Sequence, residues 1–580
     1  MRLLLVLAAI GGYWTGTVTT PGGALPVGIF IGPGSAALDA PSLGYAGKPV
    51  ALRVEGDAVH LELDADGKTA SADATLSGDR LTGLVTLDAA KFPIDLKRSA
   101  QPEKSYRTEG VTIRNGEVSL DGTLYLPKAD RAVPAVAFVA GLVPRSDAVH
   151  FLADRFASRG IAVLTYDRRG VGKSTGPRRA SFAEHAADAA AAVAYLRSRA
   201  EIDAARVGIR GQSQGAWLAP LAATRVPVAF IIATAGGGVP PWQSETYAIP
   251  ARMRADGFSA AEVAEAAEYM RLLFEVARSG QRWDALSAMT AALRAKGSVW
   301  LGRYAPVYDS LERLRQTWEG EFSYDPVPLL REIKVPFLAL VGENDVYSPP
   351  TATIEALNRS LTTSDKTIRL VRGATHDFHV AGAPLPLVSE EYLHALVDWT
   401  EAHAGLQSTA RSVEGHAIVS RAPKLRIEVD PSLPFIGSFA MNIRDAARAE
   451  RYVFAEADAA GNVRRMLVAQ FEAMLTQHRG AYDVPKNAKF VPIGPLQFQQ
   501  VAGKYNFAAA IAAKPGAEAE RTREFLLSKG LRVDRDLMVA RFEAHTDPDH
   551  RSELIIFYWE DAAVPPEQLL QRAREMFRVF

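Results

Sequence analysis

Val207-Gly208-Ile209-Arg210-Gly211-Gln212-Ser213-Gln214-Gly215 runs directly into Ala216-Trp217-Leu218-Ala219-Pro220. The first three residues end an apolar strand, and the residues from Ala216 to Thr224 have helical character. Gly-x-Ser-x-Gly by itself is only moderately specific. At a strand-to-helix junction it gains a mechanical meaning, because a tight turn lifts the serine hydroxyl clear of the sheet. Glycine on either side keeps side chains out of that turn. The helix N-terminus behind the serine favours developing negative charge. Ser213 is therefore the candidate nucleophile.

Working outward, apolar strands alternate with helical segments over residues 106–404. The strands are Ala135–Val139, Ile161–Tyr166, Val207–Ile209, Val228–Ile232, Phe337–Val341 and Ile368–Val371. Unbroken apolar runs suit parallel strands covered on both faces. The helical period between them, as in Phe182–Arg199 and Val388–His403, implies an α/β fold with a doubly wound, mostly parallel sheet. Residues 241–331 interrupt the rhythm with Ala-rich amphipathic stretches. They are expected to form an inserted helical cap.

A serine nucleophile needs a base and an acid, in the chain order Ser, acid, His on such a sheet. Val341-Gly342-Glu343-Asn344-Asp345 ends one strand and presents Asp345. Glu343 is its competitor, but it falls closer to the strand end. After Ile368–Val371 come Arg372-Gly373-Ala374-Thr375-His376-Asp377-Phe378-His379, which puts His376 on the loop past the strand, with His379 as its rival. The histidines His60, His150, His185 and His550 have no such placement and read as surface or packing residues. In this scheme Ser213 attacks an acyl carbonyl, His376 moves the proton and Asp345 orients the imidazole. The oxyanion is expected to meet the backbone N–H groups of Gln214 and Leu142.

These residues resemble the α/β-hydrolase superfamily. The likeness is to bacterial carboxylesterases related to the serine aminopeptidase-type and dienelactone-hydrolase-type hydrolases. It is carried by Gly211–Gly215 with Ala216–Pro220, by Ile161–Ser174, and by Val335-Pro336 ahead of the Asp345 strand. Trp14-Thr15-Gly16-Thr17 and Ala40–Gly44 look like the β-domain often found ahead of such hydrolases. The resemblance implies a serine hydrolase acting on carboxylic esters through an acyl-enzyme. The family usually has His-Gly on the oxyanion loop where this chain has Ala140-Gly141. The residues that follow, Leu142–Asp147, are bulkier than usual and are expected to narrow the acyl pocket.

The flanks read differently. Residues 1–12 carry one charge, a short apolar run and small residues, the outline of a short signal segment, so export is expected, with a cytoplasmic location as the alternative. Residues 13–98 alternate in short runs separated by turns such as Ala65–Lys68 and Ser77–Arg80, which implies a small all-β sandwich or barrel. Residues 424–580 read as an α+β domain. It has hairpins at 452–471 and 539–559 and helices near Thr522–Lys529 and Pro566–Phe577.

Composition bounds what remains. Three to four domains fit 580 residues at roughly 150 each. The balance of 66 Lys and Arg against 66 Asp and Glu disfavours a nucleic-acid partner. The absence of cysteine removes thiol nucleophiles, thiolate metal sites and disulfides. No His/Asp cluster has zinc spacing, and no stretch of membrane-spanning length stands out, so no metal, cofactor or stable membrane span is expected and the partner is a small ester or acyl substrate. Gly170-Val171-Gly172-Lys173-Ser174 imitates the end of a phosphate-binding loop, but Asp167 stands where that loop needs glycine. Arg168-Arg169 and Arg178-Arg179 are weak candidates for anion binding. Trp217, Trp242, Trp283, Trp300 and Trp318 read mostly as core. Two other readings stay open: a peptidase acting on short or blocked peptides, and a non-catalytic ligand-binding or scaffold protein on the same fold.

Overall fold

The computed structural model describes residues 10–580, apart from 22, 66–67, 140, 142–144, 407–410, 444–445, 475–480, 484–489, 515–516, 534–535, 548–549 and 562–563. Leu142, expected at the oxyanion site, and nearly all of the expected signal segment lie outside the described residues. The chain divides into two compact units, Met1–Ser389 and Glu390–Phe580.

The first unit opens with a closed barrel of eight antiparallel strands, from β1 (Gly12–Thr20) to β8 (Ala90–Ser99). Each strand pairs with its sequence neighbour, and β8 returns to β1 with Tyr13 opposite Ser99. Alternation along the strands turns Trp14, Ile29, Leu61 and Ile94 inward.

An eight-stranded sheet follows, built from β9 (Tyr106–Asn115), β10 (Val118–Pro127), β11 (Val133–Val139), β12 (Ala162–Tyr166), β13 (Ile202–Gln212), β14 (Ile231–Thr234), β15 (Phe337–Gly342) and β16 (Lys366–Val371). Their spatial order is β16-β15-β14-β13-β11-β12-β10-β9. The hairpin β9–β10 is antiparallel and the remaining strands run parallel. The residues of β11, β12 and β15 are buried throughout, as their unbroken apolar runs require. β11 lies between β12 and β13, so the chain reverses its direction across the sheet there. Ligands on open α/β sheets bind at the carboxyl ends of strands beside such a reversal.

Residues 241–331 form helices at Pro241–Ala255, Ala260–Ser279, Trp283–Ala295 and Leu311–Thr317, and part of Val327–Glu332. They carry a core of their own, centred on Met253, Tyr269, Phe274 and Trp300. Trp217 is also buried, and its indole N–H donates to Val239 O at 2.7 Å.

The second unit holds a seven-stranded antiparallel sheet and a four-stranded one, with helices including Glu518–Ser528 and Pro566–Glu575. The helix Glu390–His403, read from sequence as the close of the catalytic segment, falls in this unit. Its buried Asp398 accepts from Asn442 N and Nδ2 and pairs with Arg521 at 2.8 Å. The helix read from sequence over Pro566–Phe577 ends at Glu575, and Phe577 opens a short strand, Phe577–Val579. Among the described residues no helix is long and apolar enough to cross a membrane.

Candidate active site

Ser213 follows β13 directly and precedes the helix Gly215–Ala223. Its φ is 54°, a left-handed conformation that a non-glycine residue rarely adopts. Backbone bonds fix the turn: Ser213 N–H donates to Thr234 O at 2.9 Å, and Ala216 N–H to Ser213 O at 2.9 Å. The two flanking glycines are not equivalent. A Cβ on Gly211 would lie 1.8 Å from Gly215 O, so glycine is obligatory there. A Cβ on Gly215 would make its closest contact, with Val139 O, at an ordinary 3.4 Å. The sequence reading gave both glycines the same task, and only Gly211 carries it.

Asp345 and His376, the candidate acid and base, are in contact. Asp345 follows β15 and is buried, 1% exposed. Its Oδ1 accepts from Tyr347 N at 2.7 Å and Ser348 N at 2.8 Å. His376 Nδ1 donates to the same carboxylate, 2.9 Å from Oδ1 and 2.8 Å from Oδ2. The imidazole is oriented through Nδ1 by the Asp345 carboxylate. Burial works against charge on His376. The hydrogen bond and negative charge of Asp345, helped by Asp377, outweigh burial and hold its pKa above the usual histidine value.

The Glu343 side chain and the His379 backbone make other contacts. Glu343 Oε2 accepts from Gly373 N at 2.8 Å and ties the two strand-end loops together. The backbone of His379 closes the turn, its carbonyl accepting from Thr375 N at 2.9 Å. Gln212 Nε2 reaches Asp377 Oδ1 at 3.4 Å, joining the residue before Ser213 to the residue after His376. The serine turn and the histidine loop are therefore neighbours.

Gln214 is buried and opens the helix, and its carbonyl accepts from Trp217 N at 3.2 Å. Gly141, on the other expected oxyanion loop, accepts at its carbonyl from Arg168 Nη1 at 3.4 Å. Arg145 of the same loop is held by Asp121 and Asp167 at 2.6 and 2.8 Å and by Thr123 at 2.9 Å. Its guanidinium anchors the loop to the sheet.

Several residues here had no signal that a sequence pattern isolates. Gly236-Gly237-Gly238 follows β14 and wedges beside the nucleophile turn. A Cβ on Gly237 would lie 2.7 Å from Ala216 O, and one on Gly238 would lie 2.5 Å from Thr353 O. Ser348 Oγ donates to Ala235 O at 3.0 Å, which locks the acid loop to that wedge. Tyr347 packs its ring 4.8 Å from the imidazole of His376. Tyr247, from the inserted helices, donates to Asp345 O at 2.8 Å. The run of three glycines was the one visible clue.

Other candidates resolve as structure. Arg169 is buried and forms a two-pronged pair with Asp188 at 2.7 and 2.9 Å. Arg168 Nη2 contacts His185 Nε2 at 2.6 Å, and burial, with the neighbouring Arg168 charge, pushes the pKa of that histidine down to about 4. No helix follows Lys173-Ser174 until Phe182, and Ser174 Oγ instead donates to Asp167 O at 2.8 Å. A phosphate-binding loop requires a helix there. Among the described residues no group of three or more His, Asp or Glu side chains is placed to hold a metal ion.

A family model described as X-Pro dipeptidyl-peptidase (S15 family) matches residues 115–374, somewhat under half of the chain. No curated protein matches the sequence. Similar solved structures include an α/β hydrolase from Penicillium sp. sh18, at 20% identity over 52% of this chain and 99% of that one, with a TM-score of 0.36. They also include a Pyrococcus furiosus esterase (16% identity, 48% and 90% covered, TM-score 0.31) and a hyperthermophilic esterase from the archaeon Pyrobaculum calidifontis (14%, 53% and 87%, 0.32). The matched segment spans β10 to β16 with the loops of Ser213 and Asp345 and ends two residues before His376; with the sheet order it supports a hydrolase of the α/β-hydrolase superfamily.

Proposed function

We propose that the chain is a serine esterase that cleaves carboxylic esters through an acyl-enzyme. The observation that carries this reading is the Asp345–His376 pair, standing on a loop tied to the loop of a left-handed Ser213. Ser213 Oγ attacks the acyl carbonyl while His376 Nε2 takes its proton. The tetrahedral oxyanion is met by N–H groups at the start of the following helix, Gln214 first, and across the cleft by the loop after β11, where Leu142 is the expected donor. His376 then gives its proton to the leaving alkoxide and the C–O bond breaks. Water enters, passes a proton to His376 and adds to the acyl carbon. Collapse of that second intermediate returns the proton to Ser213 and frees the acid.

The S15 match favours a second reading, a peptidase that removes dipeptides. Such an enzyme must hold a substrate ammonium with carboxylates. The sequence offers no decisive acidic or basic set near the Ser213, Asp345 and His376 loops for that recognition. Parallel assays with p-nitrophenyl acyl esters and with an X-Pro p-nitroanilide separate the two. Ester turnover that is lost in Ser213→Ala, without anilide turnover, is expected. Anilide turnover with the higher kcat/KM would replace the esterase reading with the peptidase one.

A further inference from the structure

The eight-stranded barrel is closed, so its interior is shut off at the sides by paired strands. It is not completely filled. A cavity of about 120 Å³ remains at its centre. Of the lining side chains only Tyr45 and Ser71 carry a polar atom; the rest are aliphatic, or the ring of Phe92. Space is left on one side because Ala40, Ala70 and Ala72 stand where larger residues would fill it. A buried water needs two to four polar partners, and an apolar cavity of about 150 Å³ stays dry and takes a benzene-sized guest. The lumen therefore has the size and chemistry for a small apolar molecule.

Residues from outside the barrel complete the lining. Leu385 and Pro386 line the cavity, and Leu385 packs on the barrel core. They belong to the loop that continues from His376. Val380 N–H donates to Leu387 O at 2.7 Å, and His379 bridges to Val388. Val388 N–H donates to Ser42 O at 2.9 Å, fastening the loop to the barrel rim.

We propose that the barrel lumen is a binding site for an uncharged apolar ligand, a small ring or short alkyl chain, with Leu385-Pro386 as its stopper. The site is independent of the esterase reading, since no lining residue belongs to the catalytic set. A guest longer than the cavity must displace the stopper, so truncating it lengthens the chain that fits.

The test is equilibrium partitioning of toluene from headspace into solutions of the full chain, repeated with n-octane. Wild type is expected to take up toluene at one saturable site. Ala72→Phe fills the lumen and is expected to abolish that uptake. Ala70→Val, a smaller change suited to a strand, is expected to weaken it and serves if the phenylalanine variant does not fold. Leu385→Ala is expected to admit n-octane, which wild type excludes. Ser213→Ala and fluorophosphonate-treated protein are expected to bind toluene as wild type does, which separates the lumen from any acyl pocket. Equal uptake by wild type and a folded filling variant would overturn the proposal, as would no saturable uptake by wild type.

Discussion

At the scale of single residues, the histidine and the serine are each held in a state that costs something and does something. The raised pKa of His376 has two consequences of opposite sign. Its charged form is stabilised by Asp345, so its contribution to folding is full below the unfolded value near about 6.5 and is lost as pH rises through the folded value. Catalysis needs the neutral imidazole, so kcat/KM is expected to rise with pH through that same raised value. Asp345→Asn is expected to shift the rising limb of the profile to lower pH and to cut kcat by about ten-thousand-fold, as loss of the correct tautomer does. A pH–rate profile of both proteins checks it, and an unmoved limb would remove His376 from the base role. Ser213 stores strain of another kind. A left-handed conformation costs a non-glycine residue about 1 kcal/mol. Ser213→Gly is accordingly expected to gain about that much stability in urea unfolding while losing all turnover.

At the scale of elements, function depends on how closely backbones approach. Gly211→Ala would drive a Cβ into Gly215 O, and the turn has no room to yield. It is expected to lose activity and about 3 kcal/mol of stability, read from chemical denaturation. Gly215→Ala, at ordinary contact distance, is expected to retain both. The loop after β12 is pinned by the buried Arg169–Asp188 pair. Asp188→Asn leaves the buried guanidinium with only the more exposed Glu184, at 3.1 Å, as charge partner, and a loss of about 3 kcal/mol is expected in the same measurement.

These elements also mark where reading from sequence succeeds and stops. Ser213 and Asp345 stand out as candidates because each follows an apolar run that forms a largely buried strand, whereas His376 follows the half-exposed edge strand β16 and is singled out by the order the chemistry demands. Tyr347, Tyr247 and the Gly236–Gly238 wedge do not stand out, because their roles come from loops that meet only once the sheet is ordered. Barrel closure was equally hidden: alternation announces strands, but the pairing of Tyr13 with Ser99 is a long-range fact. The helix Glu390–His403 has the period expected of a closing hydrolase helix, yet Asp398 commits it to Asn442 and Arg521.

At the scale of the whole molecule, the catalytic candidates and the C-terminal unit belong to different compact units. All three catalytic candidates lie in Met1–Ser389, whereas Glu390–Phe580 has apolar cores of its own around Phe454, Phe542 and Ile556 and around Val468, Phe507 and Trp559. Residues 390–580 expressed alone are expected to unfold cooperatively, with a sharp calorimetric transition; a broad, featureless melt would show that this core needs the rest of the chain. The central claim concerns the other unit and is tested most directly by fluorophosphonate labelling, with the adduct located by peptide mass spectrometry. The account predicts one adduct, on Ser213, absent from Ser213→Ala and strongly slowed in His376→Ala. Folded wild-type protein that takes no label, or takes it on another serine, would contradict it.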